Sequence, residues 1–423
     1  MTLAVLQHHL PVLVVLMPLL GGLLVAIIRH PAASWPIAIA AAAASLAGAL
    51  ALSREVAANG VISYALGGFP SELGIEYRVD AVNVLILVVV SFMALATLVF
   101  ARLSVASEID EGRQPWFYTM MLVATAGLLG MAVTGDAFNA FVFLEISSLA
   151  TYTLIALGRD RRALVAAYQY LIVGTIGATF YVIGVGLLYL ATGTLNLELI
   201  AERLPEVTSP RALLAAEAFI LVGIALKLAL FPLHAWLPNA YTYAPSAATV
   251  LLASTATKVA VYLLARYIFG IFGLHREFGD ISGASLLILL SLAAMFLASA
   301  AAIFQNDVKR LLAFSSIGQI GYITLGIAIA NSDALTGAFL HIANHAVMKG
   351  AAFMAIGAIL YRCGSERLDD LAGIGRAMPV TGAVLTIAGL ALIGVPGTSG
   401  FVSKWYLVAG AFDSGKGWLD LMI

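Results

Sequence analysis

Charge and thiols are what this chain has least of. Of its 423 residues only 11% are charged while 62% are hydrophobic, and mean hydropathy reaches +1.00. No soluble domain covers so much apolar surface, so the composition demands a lipid bilayer as solvent. The single cysteine, Cys363, excludes an internal disulfide, an iron–sulfur cluster and a cysteine-rich zinc site. Any redox chemistry must then sit in a partner, and no cofactor is expected on this chain. A formal net charge of −1 without a basic tract excludes nucleic acid as a natural partner.

What the chain has in abundance is apolar runs. Crossing a hydrocarbon core of ~30 Å takes about 20 helical residues. Twelve such runs are predicted, at 11–28, 35–52, 80–101, 116–134, 138–157, 165–191, 212–233, 246–269, 283–304, 310–330, 334–360 and 380–411. Residues 1–10 hold no Lys or Arg and nothing after the first run reads as a soluble mature domain, so that run is expected to be a retained helix. The longest polar interruptions, 53–79 and 192–211, read as modest loops, and no linker or charge run divides the chain. It reads as one polytopic, all-α membrane domain.

The positive charges orient it. With the N-terminus outside, the cytoplasmic loops hold Arg29, Arg102, Arg113, Arg159, Arg161, Arg162, Lys309, Arg310, Arg362, Arg367 and Arg376, eleven in all. The opposite side holds seven: Arg54, Arg78, Arg203, Arg211, Arg266, Arg276 and Lys416. The bias favours N-out.

The remaining four of the 22 basic residues are all lysines inside apolar runs: Lys227, Lys258, Lys349 and Lys404. At ~2.5 to 3.5 kcal/mol each on insertion scales, four such lysines with Glu145 would cost on the order of 15 kcal/mol if left unpaired. Each by itself could snorkel or make a helix-packing ion pair. Five together mark an ion pathway, which is the default meaning of intramembrane ionisable groups.

Local sequence sharpens this. In KLALFPLHAWLPNA, which begins at Lys227 and contains His234, Pro232 lacks an N–H and leaves the Leu228 carbonyl without its helical partner, so the helix should break. GVPGTSGFVSKW repeats the arrangement, with Gly394, Pro396, Gly397 and Gly400 weakening the helix before Lys404. Broken helices put free carbonyls and helix ends beside mobile ions. The two lysines stand 177 positions apart, which hints at an internal repeat. In HIANHAVMKGAAF, His341, His345 and Lys349 fall at i, i+4 and i+8, within ~80° of one helix face. A metal site competes for the two histidines, but no nearby Glu or Cys completes a ligand set. Hydrogen-bonded core histidines are another reading. A proton relay is preferred, because His titrates near neutrality and can accept on one nitrogen while donating on the other.

These residues carry a resemblance. FVFLEISSLATYTL around Glu145, KLALFPLHAWLPNAYTYAPS, TATKVAVYLLAR, DVKRLLAFSSIGQIGY, HIANHAVMKG and PGTSGFVSKW are together similar to the antiporter-like, proton-conducting membrane subunits shared by respiratory complex I, membrane-bound hydrogenases and Mrp-type cation/proton antiporters. The resemblance covers essentially the whole chain. Within the family, YALGGFPSELGIEYRVDAVN and YLATGTLNL look like the D-type branch of the Mrp antiporters, and the long C-terminal extension of the largest complex I homologue is missing. The resemblance implies two inverted repeats of five helices with the seventh and twelfth helices broken, divided as N-terminal helices 1–110, a first half-channel 111–275 and a second repeat 276–423. About fourteen helices are usual in the family, so a truncated chain or another polypeptide would account for the rest of the second repeat. Residue by residue, the resemblance implies that Glu145 and Lys227 form the ion pair of the first half-channel. Lys258 is then the central relay, Lys404 closes the second half-channel, and the histidines join Lys258 to Lys404.

The expected function is an ion-translocating subunit of a hetero-oligomeric complex in a prokaryotic inner (plasma) membrane. It passes protons, together with Na⁺ or K⁺ exchange, in an Mrp-type antiporter. The alternative within the family is a redox-driven pump. An alternative of another class, a self-contained solute transporter, fits the broken helices but not polar groups strung over many helices rather than gathered in one pocket. A scaffold subunit with fossil charges is the third class.

Overall fold

The computed structural model describes residues 7–273, 277–278 and 281–415, and within them each of the twelve runs is mostly helical. Arg276 and Lys416, counted above on the outer side, lie outside the described residues. The first six helices are α1 (Leu10–Ile28), α2 (Pro31–Asn59), α3 (Ala81–Glu108), α4 (Gln114–Val133), α5 (Ala137–Ala156) and α6 (Arg162–Thr192). After them come α7 (Pro210–Leu228), the short α8 (Leu237–Tyr243) and α9 (Ser246–Phe272). The chain continues through α10 (Gly283–Ile303), α11 (Val308–Ile329), α12 (Ser332–Cys363), α13 (Pro379–Ile393) and α14 (Ser399–Asp413).

Ten of these, α1 to α6 and α9 to α12, are long and apolar enough to cross a membrane. The seventh and twelfth runs differ because each is broken. α7 stops at Leu228, four residues before Pro232, with Ala229 in the left-handed region at φ 57°. The carbonyls released there are taken up locally: the Trp236 indole donates to Leu226 at 2.9 Å, and the amide of Leu230 to Ala225 at 3.0 Å. The twelfth run separates into α13 and α14 around Gly394, at φ 90°, and Gly397, at φ 91°.

Three expectations need correction. Gly400 does not loosen this break, since it lies in the first turn of α14. There a Cβ would overlap the Ala391 carbonyl oxygen, so its role is close packing of α14 on the end of α13. Segment 53–79 is not a plain loop: α2 runs on to Asn59, and Ile62–Ala65 (β1) pairs antiparallel with Glu76–Val79 (β2), Ile62 facing Val79. Segment 192–211 likewise contains a helical piece, Leu197–Arg203. Backbone hydrogen bonding explains both, because a lid at the bilayer surface must still satisfy its own N–H and C=O groups.

Helix starts are set by side chains that accept orphan amides: Asp80 for α3, Asp136 for α5, Asp307 for α11 and Asn331 for α12. Leu23, Leu164, Leu190 and Leu289 stay more than half exposed, as expected where lipid replaces water outside the bundle. Inside, small residues bring backbones together: a Cβ on Gly223 of α7 would lie 2.6 Å from the Gly177 carbonyl oxygen of α6.

Candidate functional site

All the intramembrane lysines singled out above point into the bundle. Lys258 and Lys349 are 1% and 0% exposed, as fully removed from lipid as the apolar core. On one side, Lys227 at the end of α7 donates to the Ser148 hydroxyl and, at 3.3 Å, to the Tyr152 hydroxyl. It also lies 5.8 Å from the ring centres of Tyr152 and Tyr170. Glu145 is half-buried and within electrostatic range of Lys227, but the ion pair expected between them is not closed. One carboxylate oxygen of Glu145 is buried without a hydrogen-bond partner among the described residues, while the ammonium is held one and two turns along α5. The hydroxyl oxygens of Ser148 and Tyr152, as acceptors, and the π faces near Lys227 compete with the carboxylate for the cation.

A cavity of about 30 Å³, roughly that of one or two waters, joins this cluster to α9. Its lining includes Ser147, Ser148, Tyr170 and Lys227 on one side and Ala256 and Ala260 on the other. Here α9 is not a regular α-helix, because Leu252–Ala256 forms a wide π turn. Within it the Ala253 carbonyl accepts the Lys258 ammonium, with Thr257 Oγ1 a second acceptor at 3.3 Å. Such a turn loosens the i→i+4 ladder and supplies the carbonyl that holds a buried cation.

Beyond α9 the polar stripe of α12 is as the spacing predicted. His341, His345 and Lys349 are all 0% exposed, and the two imidazole rings lie nearly parallel, 7° apart with centres 6.1 Å apart. Lys258 is within electrostatic range of His345 and Lys349. Lys349 donates to the Leu312 carbonyl at 2.8 Å and to the Ser315 hydroxyl on α11. Both nitrogens of His345 are buried without a partner among the described residues, a site suited to water.

His341 has both nitrogens occupied: Nδ1 meets Ser403 Oγ at 2.8 Å and Nε2 meets Gln319 Oε1 at 2.7 Å. The Gln319 amide is oriented by its own NH₂, which donates to the Leu392 carbonyl at 3.2 Å, so Oε1 accepts and His341 carries its proton on Nε2. That leaves no His341 nitrogen for a metal shared with His345. Lys404 reaches back over the break to the same Leu392 carbonyl, at 2.9 Å, and to Ile393 at 3.2 Å, with its ammonium 4.1 Å from the Tyr322 ring centre. Leu392 at the end of α13 is thus the node that ties Lys404 to His341 through Gln319. The two breaks are not copies of each other: Lys227 precedes its break, whereas Lys404 follows its own.

His234, expected as a further pathway group, makes no hydrogen bond to these groups among the described residues. It lies half-buried in the non-helical stretch after α7, stacked 5.1 Å from Phe231, with Nδ1 buried and without a partner among the described residues. Several participants escaped sequence reasoning. Ser148 and Tyr152 follow Glu145 at i+3 and i+7 on one face of α5, and Gln319 is the one amide in its run, so both signals were available. Glu217, 2% exposed on α7, is a further buried carboxylate in the wall of an apolar cavity of about 330 Å³. Lys309, counted above as a loop charge, is buried and paired with Glu366 at 3.2 Å, because segment 364–368 folds back over the start of α11. Burial pushes the Glu366 carboxyl above the usual range, with Lys309 opposing.

Known proteins share this architecture. The family model described as NADH:quinone oxidoreductase/Mrp antiporter, transmembrane, matches residues 134–423. The NADH-quinone oxidoreductase subunit N of Desulforudis audaxviator is 41% identical over 96% of this chain and 81% of its own length. The D-type subunit of the Na(+)/H(+) antiporter of Alkalihalophilus pseudofirmus is 30% identical, again over 96% of this chain and 81% of its own. Among solved structures, a chain of the Mrp complex from Dietzia sp. superposes with a TM-score of 0.90 at 29% identity, covering 100% of this chain and 77% of that one.

Proposed function

The chain belongs to the NADH:quinone oxidoreductase/Mrp antiporter transmembrane family, and from that membership we propose that its buried polar chain moves protons within a larger membrane complex. The carrying observation is the succession of buried and half-buried groups: Lys227 beside a small cavity, Lys258 just after a wide turn, then His345, His341, Gln319, Leu392 and the half-buried Lys404. Each member can hold or hand on a proton, or carries a carbonyl that steers one. In this reading residues 1–110 are the N-terminal helices, 111–275 hold the first half-channel and 276–423 the second repeat. The N-terminus faces outward across a prokaryotic plasma membrane, by the excess of basic residues on the Arg159 side.

The assembly is an Mrp-type Na⁺ or K⁺/proton antiporter, in which this subunit performs no chemistry of its own. Its support is the superposition on an Mrp complex chain and the likeness to the D-type antiporter subunit. A second reading, a subunit of a redox-driven pump, is favoured by the higher identity to subunit N. Purification from native membranes separates them, since co-purifying flavin or iron–sulfur proteins would assign the redox-driven assembly. The proton axis itself is tested at Lys258. Lys258→Ala should assemble yet abolish ion-coupled transport in inverted vesicles, and Lys258→Arg, unable to deprotonate, should be nearly as damaging. A fully active arginine variant would remove the relay role.

A further inference from the structure

Arg266 belongs to a second column of polar groups that leaves the axis at Lys258 and runs toward the hairpin end of the bundle. Lys258, Tyr262 and Arg266 stand at i, i+4 and i+8 on α9, one turn apart on nearly the same face. Above them, Glu76, Arg78, Asn196, Glu198, Arg266 and Gly270 line a recess of about 270 Å³. With the side chains of Arg78 and Glu198 31% and 48% exposed, this recess opens to solvent. Water therefore has access to within about two helical turns of the central lysine, or ~12 Å of helix axis. An unguarded column of this kind would short-circuit the proton axis proposed above.

The hydrogen bonding of the column has a direction that forbids this. Arg266 Nε donates to the Tyr262 hydroxyl at 2.9 Å, and that hydroxyl donates to the Ala132 carbonyl of α4 at 3.0 Å. The second guanidinium arm pairs with Asp80 Oδ2 at 2.6 Å, while Asp80 Oδ1 is committed to the amides of Val82 and Asn83. A proton wire needs groups that can both accept and donate. Guanidinium only donates and does not deprotonate in proteins, and a carbonyl only accepts. Arg266 itself lines the recess, so the group that meets its solvent on the way to Lys258 is one that can only donate. The Tyr262 ring, 1% exposed, fills the level between Arg266 and Lys258.

We infer that Arg266, pinned by Asp80 and Tyr262, is an insulating plug that separates the solvent-filled recess from Lys258 and so forces protons along the axis toward Lys404. This rests on the proton axis proposed above. Fixed arginines beside narrow passages exclude protons and cations on the same principle.

The test is passive proton entry into vesicles holding the assembled complex, followed with an internal pH-sensitive dye after an acid pulse, without any counter-cation gradient. Wild type should stay tight. Arg266→Gln should leak at least about tenfold faster, since a neutral amide both accepts and donates and removes the fixed charge. The leak should disappear in Arg266→Gln/Lys258→Ala, where its inner terminus is gone. Should Arg266→Gln fail to assemble, Asp80→Asn carries the test: asparagine keeps the α3 cap but unpins the guanidinium, and a smaller leak is expected. Tight membranes in an assembled Arg266→Gln variant, or in Asp80→Asn where that must stand in, overturn the plug while leaving the axis intact. If instead Lys258→Ala alone retains coupled transport, the axis itself fails.

Discussion

Lys227 gives its ammonium to Ser148 rather than to Glu145, which lies one turn back along α5 with a carboxylate oxygen left without a hydrogen bond among the described residues. The lysine thus has two stations on one helix face, a hydroxyl that is occupied and a carboxylate that is within electrostatic range. Moving between them would change how strongly the cation holds its proton. As a hypothesis, this pair gates the first half-channel. Glu145→Gln and Lys227→Met should each abolish ion transport while the complex still assembles, and the double variant should be no better. A pair that only packs helices would tolerate joint replacement by apolar groups, so substantial dye-detected transport in the double variant would return it to a structural role.

Gln319 should matter as much as the histidine it holds. It links His341 Nε2 to the Leu392 carbonyl that also anchors Lys404. Gln319→Leu leaves a buried imidazole N–H unsatisfied, at a cost of ~1 to 3 kcal/mol, and should slow transport by roughly ten- to hundredfold. Gln319→Glu, which keeps the acceptor, should retain more activity than Gln319→Leu. Equal rates for the two, by stopped-flow proton uptake, would show that the bridge carries nothing.

Gly400 and Gly397 should respond differently to alanine. At Gly400 the new methyl would overlap the Ala391 carbonyl, so Gly400→Ala should lower the detergent melting temperature of the complex and displace Lys404 from Leu392. Overpacking of this kind costs ~1 to 3 kcal/mol or more. At Gly397 nothing lies within 4 Å of the new methyl among the described residues, and only the left-handed backbone would strain the alanine, by ~1 to 2 kcal/mol. A Gly400→Ala complex as stable as wild type would contradict the close approach of α13 and α14.

Cys363 reports orientation. It is exposed at the last residue of α12, on the end of the bundle where Lys309 pairs with Glu366. An impermeant thiol reagent should leave intact cells unlabelled and label inverted vesicles. The reverse pattern would place the N-terminus inside.

Much of this was legible in the chain itself. Run length fixed the number of membrane-level helices, because a bilayer leaves a polypeptide few other ways to satisfy its backbone. Helical periodicity placed His341, His345 and Lys349 on one buried face, and the scarcity of lysine made its positions conspicuous. Pro232 and the glycines near 394–397 marked the breaks, since both act on the backbone locally.

Partnership was not legible, and the physical reason is that partners are chosen in three dimensions. Nothing in the sequence says that Lys227 prefers Ser148 and Tyr152 to Glu145, that Lys404 folds back onto Leu392, or that Lys309 is covered by Glu366. Nor does it say that the turn before Lys258 widens to present a carbonyl. Composition and periodicity identified the lysines at membrane depth, because that depends on each residue's own transfer cost and its place in a helix, but they missed the burial of Glu217 and Lys309. Which group receives each charge depends on helices far apart in the chain meeting at one depth, and that was decided only by the tertiary structure.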